Sequence, residues 1–428
     1  MKKTARERLP GMSSVIQRKT APVLTVLVLL IGLVGCATRP IVEQTRLVWP
    51  PAPETTRIEF VRTITGEQDI HEDTTFSQKL LHWLGGVEAP PTRIVEPMGI
   101  AVSDDGERLY VANYNRLAVF VFDFGQKKFR EIGPLQQPVG LALDDNEYVY
   151  VVEQGKKQIT VFNQDGEAVS SITHPDIYRP SGIAIDRRLG RIYLADTGRN
   201  EELAKLKSHN VKIFSLAGEL LGTIGQGMGD GPGQFRFPTY LAVDEDSKLY
   251  VADTLNGRVQ VFDSRGVFTK TLGERGNAWG MFDKPKGIAV DNFGNVYVTD
   301  SGWSNVQIFN QNGDVLLFFG GRGPIPGMLR NPTAIAIDGR NHIYVADFVN
   351  HRVNEYRLVN TTAADSYSAT QSEAHSGIGM TLRWAAQLHQ LRAAKTNRAS
   401  LNTVVETAPA DGIKLRLDRE FNHDAKLL

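Results

Sequence analysis

Apolar and polar positions alternate in short runs along most of this chain, and the runs recur. Six segments open on proline and continue as a small apolar strand, at 97–102, 138–143, 180–185, 238–243, 285–290 and 332–337. The prolines are spaced 41, 42, 58, 47 and 47 residues apart. A polar turn follows each, as in Asp291-Asn292-Phe293-Gly294-Asn295, and then a second strand such as Leu109-Tyr110-Val111-Ala112 or Ile343-Tyr344-Val345-Ala346. A third reads Val259-Gln260-Val261-Phe262 or Val306-Gln307-Ile308-Phe309, and an Asx-Gly turn such as Asn312-Gly313 leads to a fourth. Period-two alternation with turn signals this dense predicts antiparallel β-structure. Four strands per forty-odd residues make one propeller blade, so the pattern predicts an all-β, six-bladed β-propeller.

Closure of the ring is also written in the pattern. The sixth repeat stops after its third strand, near Tyr356-Arg357-Leu358. Upstream, the run from Ile58 to Gly66 matches the fourth strand that runs from Val267 to Gly273. The N-terminal strand is therefore expected to complete the last blade, which leaves only short edges. The units resemble the NHL repeat, roughly P-x-G-I-A-V-D, Y-V-A-D, N-H-R-V-x-V-F and then Gly. The sixth carries Asp347-Phe348-Val349-Asn350-His351-Arg352-Val353, and the fourth Asp253-Thr254-Leu255-Asn256-Gly257-Arg258-Val259. The resemblance covers about residues 57–358. It speaks for the fold and not for an activity, because propellers host many functions.

The segment ahead of the repeats has a different character. Six basic side chains and one acid precede Cys36, and an uncharged apolar run spans 21–34. Fourteen residues fall short of the roughly 20 that a membrane-spanning helix needs, and the layout is that of a signal peptide. Leu33-Val34-Gly35-Cys36 resembles a bacterial lipobox, and Cys36 is the chain's single cysteine. That resemblance implies cleavage after residue 35 and lipidation of Cys36, with membrane anchoring through the acyl chains. Ala37 follows where an Asp would imply inner-membrane retention, so the outer membrane of the bacterial cell envelope is favoured over the inner. Residues 36–56, with Trp49-Pro50-Pro51-Ala52-Pro53, are expected to form an extended tether. The organisation expected is thus signal peptide 1–35, tether 36–56, propeller 57–358 with a helical insertion at 67–96, and a C-terminal linker and tail at 359–428.

Composition narrows the functions. The whole chain carries 48 basic and 48 acidic residues, and the part from Cys36 onward is mildly acidic. Neither favours a nucleic-acid partner held by a basic field. A lone cysteine excludes an internal disulfide and a cysteine-rich zinc module. Three departures from the repeat fall on the face that carries the second-to-third-strand loops and the blade-to-blade connections. Residues 75–86 read as a short amphipathic helix, either a packing plug or a partner-binding element. Residues 199–208 form a charged excursion, functional or decorative. The Gly-rich connections 225–238, 273–285 and 320–332 lack a P-loop Lys-Ser/Thr pair, and their glycines are expected to serve tight turns.

No catalytic set stands out. The residues before the six prolines, Glu96, Gln137, Arg179, Phe237, Lys284 and Asn331, form a mixed ring without the oxygen ligands of a calcium or magnesium site. The residues after them include no histidine for zinc. Asn113, Glu153, Asp196, Asp253, Asp300 and Asp347 recur after the second strand, and the expectation is that each caps its own loop, with Arg258 and Arg352 as partners. Tyr114, Trp279, Trp303 and Phe348 should lie on the loop-bearing face. With Arg179 and Lys284 they form a candidate partner-binding surface, since aromatic and cationic side chains dominate binding hot spots; singly, each could be a wedge between blades. In the tail, 361–376 reads as a linker, 381–394 as a basic amphipathic helix and 413–417 as a strand. The expected function is a lipid-anchored, non-enzymatic scaffold, without cofactor or metal, that binds a protein or peptide partner in the envelope. The alternative is an envelope hydrolase or lyase acting at the channel mouth.

Overall fold

The computed structural model describes residues 47–70, 91–198 and 209–362. Cys36 and the signal segment, the helix expected at 75–86, the excursion at 199–208 and the tail elements from 363 onward lie outside the described residues.

Among the described residues, twenty-five short strands assemble into six sheets. Blade 1 holds β3 to β6 (Pro97–Val102, Arg108–Asn113, Ala118–Asp123, Lys128–Ile132), and blade 2 holds β7 to β10 (Pro138–Leu143, Val149–Glu153, Gln158–Phe162, Ala168–Thr173). Blade 3 holds β11 to β14 (Pro180–Asp186, Arg191–Asp196, Asn210–Ser215, Leu220–Ile224), and blade 4 holds β15 to β18 (Pro238–Val243, Leu249–Asp253, Arg258–Phe262, Phe268–Leu272). Blade 5 holds β19 to β22 (Pro285–Val290, Val296–Asp300, Asn305–Phe309, Val315–Gly320). Blade 6 begins with β23 to β25 (Pro332–Ile337, His342–Asp347, Arg352–Leu358) and is finished by β2 (Ile58–Ile64) and β1 (Val48–Trp49) from the other end of the described chain. The innermost strands touch in cyclic order, with β23 against β3, so the ring is closed. This is the six-bladed, all-β propeller that the repeat pattern predicts.

Burial follows position within the blade. Second strands are packed on both faces by neighbouring blades, and β16 is buried at all of Leu249 to Asp253. Outer strands are covered on one face, and β18 alternates from Phe268 to a buried Leu272. Continuous apolar runs and alternating runs thus report depth in the ring. The inner strands approach closely enough to dictate composition. A Cβ on Gly99 would lie 2.6 Å from the carbonyl oxygen of Val139, and one on Gly287 would lie 2.8 Å from the Cα of Ala334. Glycine at the third position of the strand is what lets adjacent blades meet at the axis.

Closure is chemical as well as topological. β2 pairs antiparallel with β25, with Arg62 opposite Glu355. The Arg62 guanidinium meets the buried Glu355 carboxylate at 2.6 Å and stacks over Phe124 of blade 1 at 4.2 Å. His342 bonds the other Glu355 oxygen at 2.8 Å. One network therefore joins the N-terminal strand, blade 6 and blade 1.

The chain departs from an extended tether before residue 56. Val48 and Trp49 pair with β2, and Trp49 is 3% exposed. Its indole contacts Phe319 of blade 5 and Tyr356 of blade 6, at centroid distances of 6.0 and 5.8 Å. A two-residue strand has little pairing energy of its own, so it is this indole, sealing the seam between the two blades, that holds β1 in place. The near end of the 67–96 insertion is a short turn, Glu67–Ile70, in which Asp69 accepts the backbone N–H groups of Thr65 and Gly66. Ile70 and Ile94, on either side of the undescribed stretch, are both in the core of blades 6 and 1.

Two outcomes follow from this closure. Trp49→Ala is expected to cost about 3–5 kcal/mol in urea unfolding, against a silent change for a residue in a free tether. The second concerns acid. Burial pushes the Glu355 carboxyl up, but the hydrogen bond with His342 and the Arg62 charge outweigh it and hold the group below the usual glutamate range. A depressed folded-state value means stability that is present above the unfolded value and lost as pH falls through the folded one. Glu355→Gln should flatten the acid limb of a stability–pH curve, read from urea midpoints.

Candidate functional site

The loop-bearing face is built on one repeated contact. The side chain that ends each second strand is fully buried and accepts the backbone N–H of the connection entering its own blade. Asn113 takes the N–H of Val95 at 2.7 Å, Glu153 that of Gln136 at 2.7 Å, Asp253 that of Arg236 at 2.6 Å and Asp347 that of Arg330 at 2.7 Å. Asp196 takes two, from Tyr178 and Arg179, and Asp300 takes those of Asp283 and Lys284. The recurring carboxylates are loop caps, as their spacing predicts. Their second oxygens bind within the same loops: Arg258 Nε to Asp253 at 2.9 Å, Arg352 Nε to Asp347 at 3.0 Å and Lys212 Nζ to Asp196 at 3.1 Å. Burial pushes the carboxyls of Asp253, Asp300 and Asp347 above the ordinary aspartate value, against the N–H donors and arginines that favour the charge. The Gly-rich connections are compact turns, with Gly273 and Gly320 at φ of 65° and 86° and with Phe235, Phe282 and Leu329 tucked inward.

Where most blades have glycine, blade 4 has Tyr240. Its hydroxyl crosses the axis to donate to the carbonyl of Met98 at 2.7 Å, with Val139 O at 3.5 Å, both on opposing blades. The Tyr240 side chain thereby links blade 4 to the inner strands of blades 1 and 2. Among the described residues no three His, Cys, Asp or Glu side chains converge in a geometry that would hold a metal ion. His351 of the repeat signature accepts the backbone N–H of Glu96 at 3.1 Å and so ties blade 6 to the start of blade 1.

The six side chains singled out for binding do not share one environment. Tyr114 is half-buried against the core of blades 2 and 3. Arg179 lies over the ring of Phe237 at 5.2 Å. Trp279 packs edge-on against Phe318 of the outer strand, at 4.8 Å, and is half-buried. Phe348 is half-buried, and Lys284 is exposed.

Trp303 differs from the rest: it is 42% exposed yet fixed at both ends. Its backbone N–H bonds Asp300 at 3.1 Å, and its indole N–H bonds the carbonyl of Gly276 at 3.3 Å. A feature without a signal in the repeat shares its face. Met228, Leu255, Ile325 and Val349, all exposed, ride on loops of this same face in blades 4 to 6, and Leu117 follows in blade 1. The only sequence signal for this arc is that each occupies a loop position with an apolar side chain where a polar one would serve the turn equally well.

Separating fold from face is a matter of measurement. Asp347→Ala should lower stability by about 3–5 kcal/mol, because it leaves Arg352 buried without its carboxylate. Trp303→Ala should change it by no more than about 0.5 kcal/mol. Urea unfolding of the two variants checks both.

Comparison with known proteins agrees with this architecture. A family model for the NHL repeat matches residues 329–355, and one for a beta-propeller repeat matches residues 283–310. No curated protein sequence matches the chain. Among solved structures, a protein of unknown function from Bacteroides thetaiotaomicron is 16% identical, with a TM-score of 0.50, over 64% of this chain and 72% of that one. The virginiamycin B lyase of Staphylococcus aureus is 14% identical, with a TM-score of 0.46, over 64% and 86%. The hydrazine synthase of Kuenenia stuttgartiensis is 16% identical, with a TM-score of 0.47, over 64% and 99%. At these identities the likeness concerns the fold alone.

Proposed function

We propose that this six-bladed propeller of NHL-type repeats is a lipid-anchored binding scaffold of the bacterial cell envelope. On this reading Cys36 carries the anchor, and the loop-bearing face of blades 4 to 6 takes a protein or peptide partner. The observation that carries the reading is Trp303, a large aromatic residue whose backbone N–H and indole N–H each make a hydrogen bond while nearly half of it faces solvent. Fixing an aromatic anchor before binding removes part of the ordering cost of association. The exposed apolar arc around it is what a partner would cover. Phe348 and Lys284 lie on the same face, while Tyr114, Arg179 and Trp279 support the scaffold that presents them. The lipobox at Leu33-Val34-Gly35-Cys36 supports the anchor, and the mildly acidic chain from Cys36 onward favours a protein over a nucleic acid.

The test is co-purification of the full-length chain, solubilised in mild detergent from the envelope of its native host. Mass spectrometry would read bound proteins and the intact mass. The expected result is an acylated chain with a stoichiometric partner that Trp303→Ala combined with Phe348→Ala removes while the fold is kept. A partner held equally by the double variant would contradict the face, and an unmodified Cys36 would contradict the anchor.

A further inference from the structure

The seams between blades are closed near the axis by side chains that donate to the repeat proline's carbonyl on the next blade. Gln154 reaches Pro180 O at 2.9 Å, Ser181 reaches Pro238 O at 3.0 Å, Thr254 reaches Pro285 O at 2.7 Å and Thr333 reaches Pro97 O at 2.8 Å. Ser181 and Thr333 occupy the position just after their own proline. In blade 5 that position is Lys286, and an ammonium stands where other blades put a hydroxyl. Among the described residues its one hydrogen-bonded contact is long, 3.4 Å to Asn331 Oδ1 of blade 6. Among the described residues no carboxylate forms an ion pair with it, and the charge that bears on it is another cation, Lys284. Burial, with help from Lys284, lowers the Lys286 amine to about 8. A half-buried ammonium beside a second cation and lacking a counter-charge is unfavourable, and an anion placed between the two relieves it. Lys284, two residues before Lys286 at the start of the same inner strand, is exposed on the loop-bearing face, so an anion reaches the pair from that face.

We propose that Lys286, Lys284 and Asn331 form an anion subsite at the channel mouth that takes a carboxylate from an acidic peptide segment of the partner. This rests on the reading of the face as the binding surface, and it adds the partner's chemistry: an apolar stretch for the Trp303 side and an acidic residue or chain terminus for the mouth. Two lysines act as point charges and the Asn331 amide can rotate to donate, a donor set that holds a carboxylate, and the phosphate arm of the test separates that ligand from a phosphate.

The probe is acetyl-tetraglutamate amide, titrated calorimetrically into the full-length chain at low salt, with acetyl-tetraalanine amide and inorganic phosphate as the other arms. The expected result is binding of the glutamate peptide alone, weakened roughly tenfold or more in both Lys286→Gln and Lys286→Met. Both variants should melt at or above the temperature of the parent chain, since they remove an unpaired charge from a seam. Equal binding by parent and variants, or no binding up to about 10 mM peptide, would overturn the subsite. Lys286-dependent binding of phosphate without the peptide would overturn the peptide assignment. Trp303→Ala separates this idea from the broader one. Tetraglutamate binding kept in that variant, with no partner lost on co-purification, would leave the subsite standing and remove only the aromatic footprint.

Discussion

A buried acceptor at the end of each second strand is the constraint on which the rest of the propeller depends. The strand ends deep in the ring, where water does not reach, and the connection entering the same blade brings unpaired backbone N–H groups to that point. An unsatisfied donor there would cost as much as a lost hydrogen bond and more. Asn113, Glu153, Asp196, Asp253, Asp300 and Asp347 answer it six times over, from three residue types. The charged versions then require cations or further N–H groups, and Lys212, Arg258 and Arg352 supply them in blades 3, 4 and 6. Because these side chains are consumed in holding the loop ends, the outward positions of the described loops are free to carry something else.

That division explains how a face can be built without weakening the fold. Asp300 accepts four backbone N–H groups, from Asp283, Lys284, Gly302 and Trp303. The same carboxylate that closes blade 5 therefore aims the exposed indole and sets the backbone from which Lys284 projects. Scaffold and presentation meet in one buried residue. Ring closure works in the same economical way, with Glu355 serving the blade 6 sheet, the N-terminal strand through Arg62, and blade 1 through the stacking of Arg62 on Phe124.

Much of this was legible in the sequence because the repeat imposes the same physics at the same spacing. The proline, the close-approach glycine, the buried second strand and the capping acid recur together, so six weak signals reinforce one another. The match of the strand after Ile58 to other fourth strands disclosed the closure for the same reason. What was not legible has no repeat to reveal it. β1 is two residues long and sits among prolines that read as an open tether; only the neighbouring Phe319 and Tyr356, distant in sequence, make Trp49 a core residue. Exposure was illegible as well: Tyr114 and Trp303 hold similar loop positions, yet one turns into the core of blades 2 and 3 and the other faces solvent. Tyr240 and Lys286 break the repeat at the axis, and a departure from a pattern says that something differs without saying where the side chain goes.

Whether a partner covers the face around Trp303, as proposed, is read by site-specific photocrosslinking in the native cell. A benzophenone side chain would replace Trp303 in one strain and Val169, exposed on the outer strand of blade 2, in another. The account predicts one discrete crosslinked protein from position 303 and none from position 169. The same species from both positions, or none from position 303, would contradict it.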